Sequence, residues 1–375
     1  MTAITKEIRG YKALLYLGEK IVLARLNRIF IADLNLENLR YICAVGTPNF
    51  LIRVISHFRL MQRLFRIELG PVVALNEKDC FLVFYRNQAF HVNTTLCLAR
   101  PEDIPGLKHR PLQLTLSKSS EVAGSIYCGE YTPNFEYGPV NIYKRDVTGT
   151  WFVIFKFPSG QINHIHGIFE DVDRSCFYIL TGDFDQGAGI WVSDLSFTEV
   201  KPLVRSGQSS RACWIFPWRG RLIFATDQQA GCNYLCEINE LKEGVVNRRF
   251  PIVGSSICFS SCHNTALIFS TSVEPDSSNK VSLTRLFSTR RAAGMLGDSV
   301  CIYAGSLEVG FEIIFSDTKD WLPFGLFQFG NICFPTGVSS DETLLHFYCT
   351  ALKNSDGTTY ALKIDKERFV QRCVA

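Results

Sequence analysis

Phe177-Tyr-Ile-Leu-Thr-Gly-Asp183 and Leu222-Ile-Phe-Ala-Thr-Asp227 are two copies of one pattern, an unbroken apolar run that closes on a small, polar cluster. Further copies read Ser125-Ile-Tyr-Cys-Gly-Glu-Tyr131 and Leu267-Ile-Phe-Ser-Thr-Ser272. Weaker ones stand at Ile21–Arg25, Phe81–Arg86, Cys301–Ser306 and Leu345–Ala351. Their spacing, mostly about 45 to 50 residues, is that of one four-stranded propeller blade. The step from Leu267 to Cys301 is short and the step from Ile21 to Phe81 is long. If one copy is a further strand of a sheet already counted, seven blades result; six and eight stay open. The expectation is an all-β chain, a single β-propeller domain over residues 1–375, because a ring cannot be cut without exposing edges.

The bulk composition agrees with a folded ring. Of 375 residues, 47% are hydrophobic and 20% charged, which excludes a disordered chain. The 29 Phe and 13 Tyr favour strands. A net charge of +3 is too small to argue for nucleic acid. The polar start and the interrupted apolar stretch Ala13–Leu23 predict no secretory leader, and no apolar run reaches a membrane span. A cytoplasmic location is therefore expected. The 14 Cys lack CxxC or zinc spacing and read as reduced thiols that mostly pack, among them Cys43, Cys80, Cys97, Cys213 and Cys258.

One segment departs from the strand pattern. In residues 50–68, Leu51, Val54, Ile55, Phe58, Met61 and Phe65 fall near helical spacing, with Arg53, Arg59 and Arg63 between them. This predicts an amphipathic helix inserted between two blades, its apolar face capping the ring and its Arg side chains in solvent. The other reading is a basic helix that docks on a membrane surface or a protein partner.

Asn141-Ile-Tyr-Lys-Arg-Asp146 leads to Thr150-Trp151, and Gly189-Ile-Trp-Val-Ser-Asp194 leads to Thr198. An Asp followed four residues later by Thr, after an Ile-aromatic strand, resembles the Asp box of sialidase-like propellers. The leading Ser is Lys144 in the first copy, and the second copy lacks the Gly and the Trp. Such an Asp accepts backbone N–H bonds across a hairpin turn, so Asp146 and Asp194 are expected to be structural.

The residues that could carry chemistry sit at strand ends. His164 and His166, two apart on a strand, point to one face. In a propeller the innermost strand of each blade lines the central channel. Arg211 occupies the matching stretch one blade later, and Glu130, Asp183 and Asp227 end successive strands. The repeat alone brings these six toward one mouth, where Tyr131, Asn134, Gln208, Gln228 and Asn233 can add hydrogen bonds. The order Gly-Glu-Tyr, His-Ile-His, Thr-Gly-Asp, Gly-Gln-x-x-Arg and Thr-Asp, over residues 126–233, resembles uncharacterised bacterial sialidase-like propellers, some from surface-polysaccharide gene clusters. The resemblance implies a carbohydrate-related role and no defined reaction. A three-Arg grip and a Tyr–Glu nucleophile pair of the sialidase kind cannot be assigned.

The leading expectation is a carbohydrate-active enzyme acting on an acidic or nucleotide-linked sugar. His164 or His166 is the base, Glu130 or Asp183 the acid, and Arg211 the anion clamp. Asp227, Gln208, Tyr131, Asn134 and Asn233 bind substrate. No cofactor is firmly implied and no residue is assigned to a metal. A divalent ion on the His pair with Asp183 or Gln208 is an open alternative. The competing expectation is a noncatalytic glycan-binding or scaffold propeller that docks through the 50–68 helix.

Overall fold

The structure, a computed structural model, describes residues 3–47, 57–239, 245–262, 266–276 and 286–365. Among these, twenty-eight strands form seven antiparallel four-stranded blades arranged as a ring. Blades 1 to 7 begin with the inner strands Lys12–Leu17, Leu69–Ala74, Thr115–Leu116, His164–Asp171, Ala212–Trp218, Ser255–Cys262 and Gly330–Cys333. Blade 7 is completed from the other end of the chain. Ala3–Arg9 pairs antiparallel with Thr358–Lys363, from Ala3 against Lys363 to Arg9 against Thr358. That pairing ties the first strand to the last and removes the free edge an open ring would expose.

The repeated sequence pattern is the second strand of each blade. Cys80–Tyr85, Ile126–Gly129 and Ala266–Val273 are buried at every position, because each is covered on both faces by neighbouring blades. Burial on both faces replaces alternation with an unbroken apolar run. The copy at Cys301–Ser306 is instead the third strand of blade 6, paired with the second strand from Leu267 against Gly305 to Ser270 against Ile302. Seven blades follow. Aromatic contacts knit them together: Trp214 stacks on Phe259 across blades 5 and 6, with ring centroids 5.1 Å apart. Asp146 and Asp194 do cap hairpin turns. Asp146 Oδ1 accepts from the backbone N–H groups of Thr148 and Thr150 at 2.9 Å each, and Asp194 accepts from the Thr198 hydroxyl.

The described part of the inserted helix ends earlier than expected and faces the other way. Residues 48–56, including Arg53, lie outside the described residues, and the helix that is described spans Arg59–Leu64. Phe58 and Phe65, assigned to an apolar inner face, are exposed, whereas Arg63 is buried. Arg63 pairs with Asp320 and donates from Nε to the Phe327 carbonyl at 2.9 Å. Arg59 holds both oxygens of Asp356, at 2.8 and 3.0 Å. Arg59 and Arg63, expected in solvent, thus form inward ion pairs that fasten the helix over the seam of blades 6 and 7. No described helix is long and apolar enough to cross a membrane. None of the described cysteines is bonded to another; Cys43, Cys80 and Cys213 are buried, while Cys97 is exposed.

Candidate functional site

The inner strands enclose a cavity of about 1150 Å³ along the ring axis. One wall comes from blades 4, 5 and 6 and carries His166, Asp183, Arg211, Cys213, Asp227 and Glu274.

The inner strand of blade 4 opens with His164-Ile-His166 and bulges between Ile165 and Gly167. Both rings reach the same face, with the Nε2 atoms 3.1 Å apart. His164 Nδ1 donates to the Thr132 carbonyl at 3.3 Å, and His166 Nδ1 donates to the Ala212 carbonyl at 2.8 Å. A carbonyl can only accept, so these contacts place a proton on each Nδ1. Gly182 lies flat against the His166 ring, and a Cβ there would overlap it.

Asp183 follows Gly182 across a cis peptide bond. Its Oδ1 lies 3.2 Å from His166 Nε2 and its Oδ2 lies 3.5 Å from His164 Nε2. Gln208, in the short 3-10 turn Gly207–Ser210, donates to the Asp183 carbonyl at 2.9 Å. Arg211 Nη2 sits 3.1 Å from Asp183 Oδ1 and 3.1 Å from Asp227 Oδ2. Burial alone would raise the Asp183 carboxyl, but its contacts with both imidazoles and the Arg211 charge outweigh burial and hold it far below the usual range.

Asp227 also accepts from the Cys213 thiol at 3.5 Å, while its Oδ1 is buried without a hydrogen-bond partner. Burial, then the Asp227 charge, pushes the Cys213 thiol well up. Glu274 follows the second strand of blade 6 and takes a hydrogen bond from the Ser272 hydroxyl at 3.2 Å. Burial is the first cause that pushes its carboxyl up to about 8, and the Asp227 charge is the second; Arg211 opposes them only in part. One wall therefore holds a carboxyl that stays protonated near neutrality and another that stays ionised. Tyr131 roofs the His pair, its ring centroid 4.7 Å from that of His164, and is 36% exposed.

The sequence-derived set divides here. His164, His166, Asp183, Arg211, Asp227, Tyr131 and Gln208 come together. Glu130 does not: its carboxylate turns outward to the Asn141 amide groups and the Tyr143 hydroxyl, at 2.7 to 3.2 Å. Asn134 closes its own loop on Gly138 at 2.9 and 3.0 Å. Asn233 braces the turn after Thr226 through Thr226 Oγ1 and the Gln228 backbone. Arg211 is not a free anion clamp either, since two carboxylates share its Nη2 and the side chain is buried.

The sequence reading missed Glu274 and the facing wall. There Lys12 Nζ meets Glu68 Oε2 at 3.0 Å, and Arg110 donates to the Gly70 carbonyl at 3.2 Å beside Arg66. Burial lowers Arg110 first, Glu68 partly offsets that, and Arg66 lowers it further.

No family model matches the chain, and no curated protein matches it. Solved structures match its fold. The AfRom2 CNH domain is 10% identical with a TM-score of 0.56, covering 97% of this chain and 99% of that one. A chain of the mitotic checkpoint complex is 10% identical with a TM-score of 0.55, covering 97% and 96%. The computationally designed Ika8 protein is 10% identical with a TM-score of 0.51, covering 95% and 96%. At such identities the likeness is one of architecture: the class that fold and cavity define is a β-propeller with a central chamber that carries charged side chains on a largely apolar lining.

Proposed function

We propose that the central cavity is the active site of a carbohydrate-active enzyme that works by acid/base chemistry on an acidic or nucleotide-linked sugar. The observation that carries this reading is the pairing of Glu274 with Asp227 on one cavity wall. Burial and then the Asp227 charge raise Glu274 to about 8, and a cavity carboxyl that keeps its proton near neutrality has the character of a general acid. Glu274 would protonate the departing oxygen, and Asp227, whose Oδ1 has no partner, would take the proton of the attacking hydroxyl. Tyr131 offers an aromatic face to a sugar ring or base. Arg66 and Arg110 on the facing wall offer positive charge to an acidic group.

The experiment is a thermal-shift screen with uronic acids, sialic-type acids and nucleotide sugars, followed by product detection on any that bind. A binder raises the melting temperature by mass action. Glu274→Gln should keep that shift and lose turnover. Absence of a shift with all ligands overturns the reading. Binding with no product from the wild type overturns the enzymatic part and leaves a glycan-binding propeller.

A further inference from the structure

We infer that His164, His166 and Asp183 form a binding site for one divalent first-row metal ion, with Zn²⁺ the ion that suits the donor set. Three observations lead there.

The first is convergence. Each imidazole turns its Nδ1 to a backbone carbonyl, Thr132 or Ala212. That leaves both Nε2 atoms aimed at one point, 3.1 Å from each other and 3.2 to 3.5 Å from the Asp183 carboxylate. A cation at that point, a metal ion or a proton, makes the convergence attractive.

The second is shape. Tetrahedral ligation with Zn–N bonds of about 2.0–2.1 Å requires ligand–ligand edges of about 3.4 Å. The Nε2–Nε2 edge here is 3.1 Å, and the carboxylate sets Oδ1 3.2 Å from His166 Nε2 and Oδ2 3.5 Å from His164 Nε2. Two imidazole nitrogens and one carboxylate are a borderline donor set that suits zinc among abundant divalent ions.

The third is the surrounding layer. Metal-binding imidazoles generally donate their second N–H to a carbonyl or carboxylate, which fixes ring orientation. Both histidines do so. Asp183 is held in turn by Arg211 on its carboxylate and by Gln208 on its carbonyl. Cys213 stays outside this shell, because its Sγ lies on the Nδ1 side of His166, 3.6 Å away. His166 and Asp183 both line the cavity, so the site opens onto it. The site stands apart from the proposed sugar chemistry, since an ion can sit there whatever the cavity binds.

The test uses the full chain, stripped of metal, titrated with Zn²⁺ alone in a calorimeter and with Co²⁺ alone followed by visible absorption. One equivalent should bind. His164→Ala and His166→Ala should each weaken binding by at least about 100-fold, and Gln208→Ala by about 10-fold, as removal of an outer partner does. If an alanine variant fails to fold by circular dichroism, His164→Gln and Asp183→Asn, which better preserve side-chain volume, are read instead. Absence of both heat and a cobalt band overturns the inference and leaves a proton between the rings. Binding unchanged in these variants overturns it too. So does binding lost only in His91→Ala, which would place the ion at the separate Glu77, Cys80 and His91 group.

Discussion

Arg211 and Asp227 meet 3.1 Å apart, Nη2 to Oδ2, with both side chains nearly sealed from solvent. The same nitrogen is 3.1 Å from Asp183. A single guanidinium therefore bridges two carboxylates on the cavity wall. Removing one partner of a buried pair leaves the other charged and desolvated, at a cost of about 3–5 kcal/mol. Arg211→Met is expected to lower the unfolding free energy by about that amount in urea titrations. A loss below about 1 kcal/mol, typical of surface changes, would mean that the two carboxylates do not depend on Arg211.

Gly182 makes the other close approach. Its backbone lies against the His166 ring, and a Cβ would overlap Cε1 and Nε2 of that ring. His166 cannot retreat freely, because Nδ1 is held by the Ala212 carbonyl at 2.8 Å. Gly182→Ala should cost about 1–3 kcal/mol, the usual penalty for overpacking. It should also shift the His166 ring resonances in NMR spectra while those of His346, in blade 7, stay in place. Unmoved His166 resonances would refute the contact.

Glu68 and Lys12 form an ion pair at 3.0 Å where the helix segment enters the cavity. Burial would raise the Glu68 carboxyl, but the Lys12 and Arg59 charges outweigh it and bring it down to about 2. The folded value thus lies below the ordinary 4.5. The unfolded chain binds the proton first on acidification. The pair's contribution is complete above about pH 4.5 and is lost as the pH falls through about 2. Glu68→Gln should be less stable than the wild type at neutral pH. The difference should shrink between about pH 5 and pH 3 in denaturant titrations. A constant difference would show that the carboxylate gains nothing from Lys12.

The blades were legible because their second strands are buried on both faces and read as unbroken apolar runs. The outer strands were not. Val246–Ile252 is mostly exposed and carries Asn247, Arg248 and Arg249, so nothing in its pattern marks a strand. The site was legible where a functional group directly follows a second strand, as Asp183 and Asp227 do. Glu130 holds the matching place, yet Asn141 and Tyr143 on the adjacent strand capture its carboxylate, and spacing cannot foresee that choice. Glu274 was missed for the converse reason. Ser272 takes the position of Asp227, and the acid arrives two residues later on the same face. The helix was misjudged because Asp320 and Asp356, the partners of Arg63 and Arg59, lie more than 250 residues away. No local periodicity records them.

Glu274 should imprint a second pH dependence, opposite in sign to that of Glu68. Its folded value of about 8 lies above the ordinary 4.5, chiefly through burial and then the charge of Asp227. Between these values the folded protein holds a proton that the unfolded chain has released. Stability must then fall as the pH rises through that window, and the contribution is complete only below about pH 4.5. The two windows do not overlap, so acidic titrations report Glu68 and neutral-to-alkaline titrations report Glu274. Glu274→Gln keeps the shape and the neutral state and removes the proton linkage. Urea unfolding at a series of values from about pH 5 to pH 8 should show the wild type losing stability and the variant staying nearly level. If both lose stability in parallel, Glu274 is ionised in the folded protein and cannot be the proton donor of the cavity.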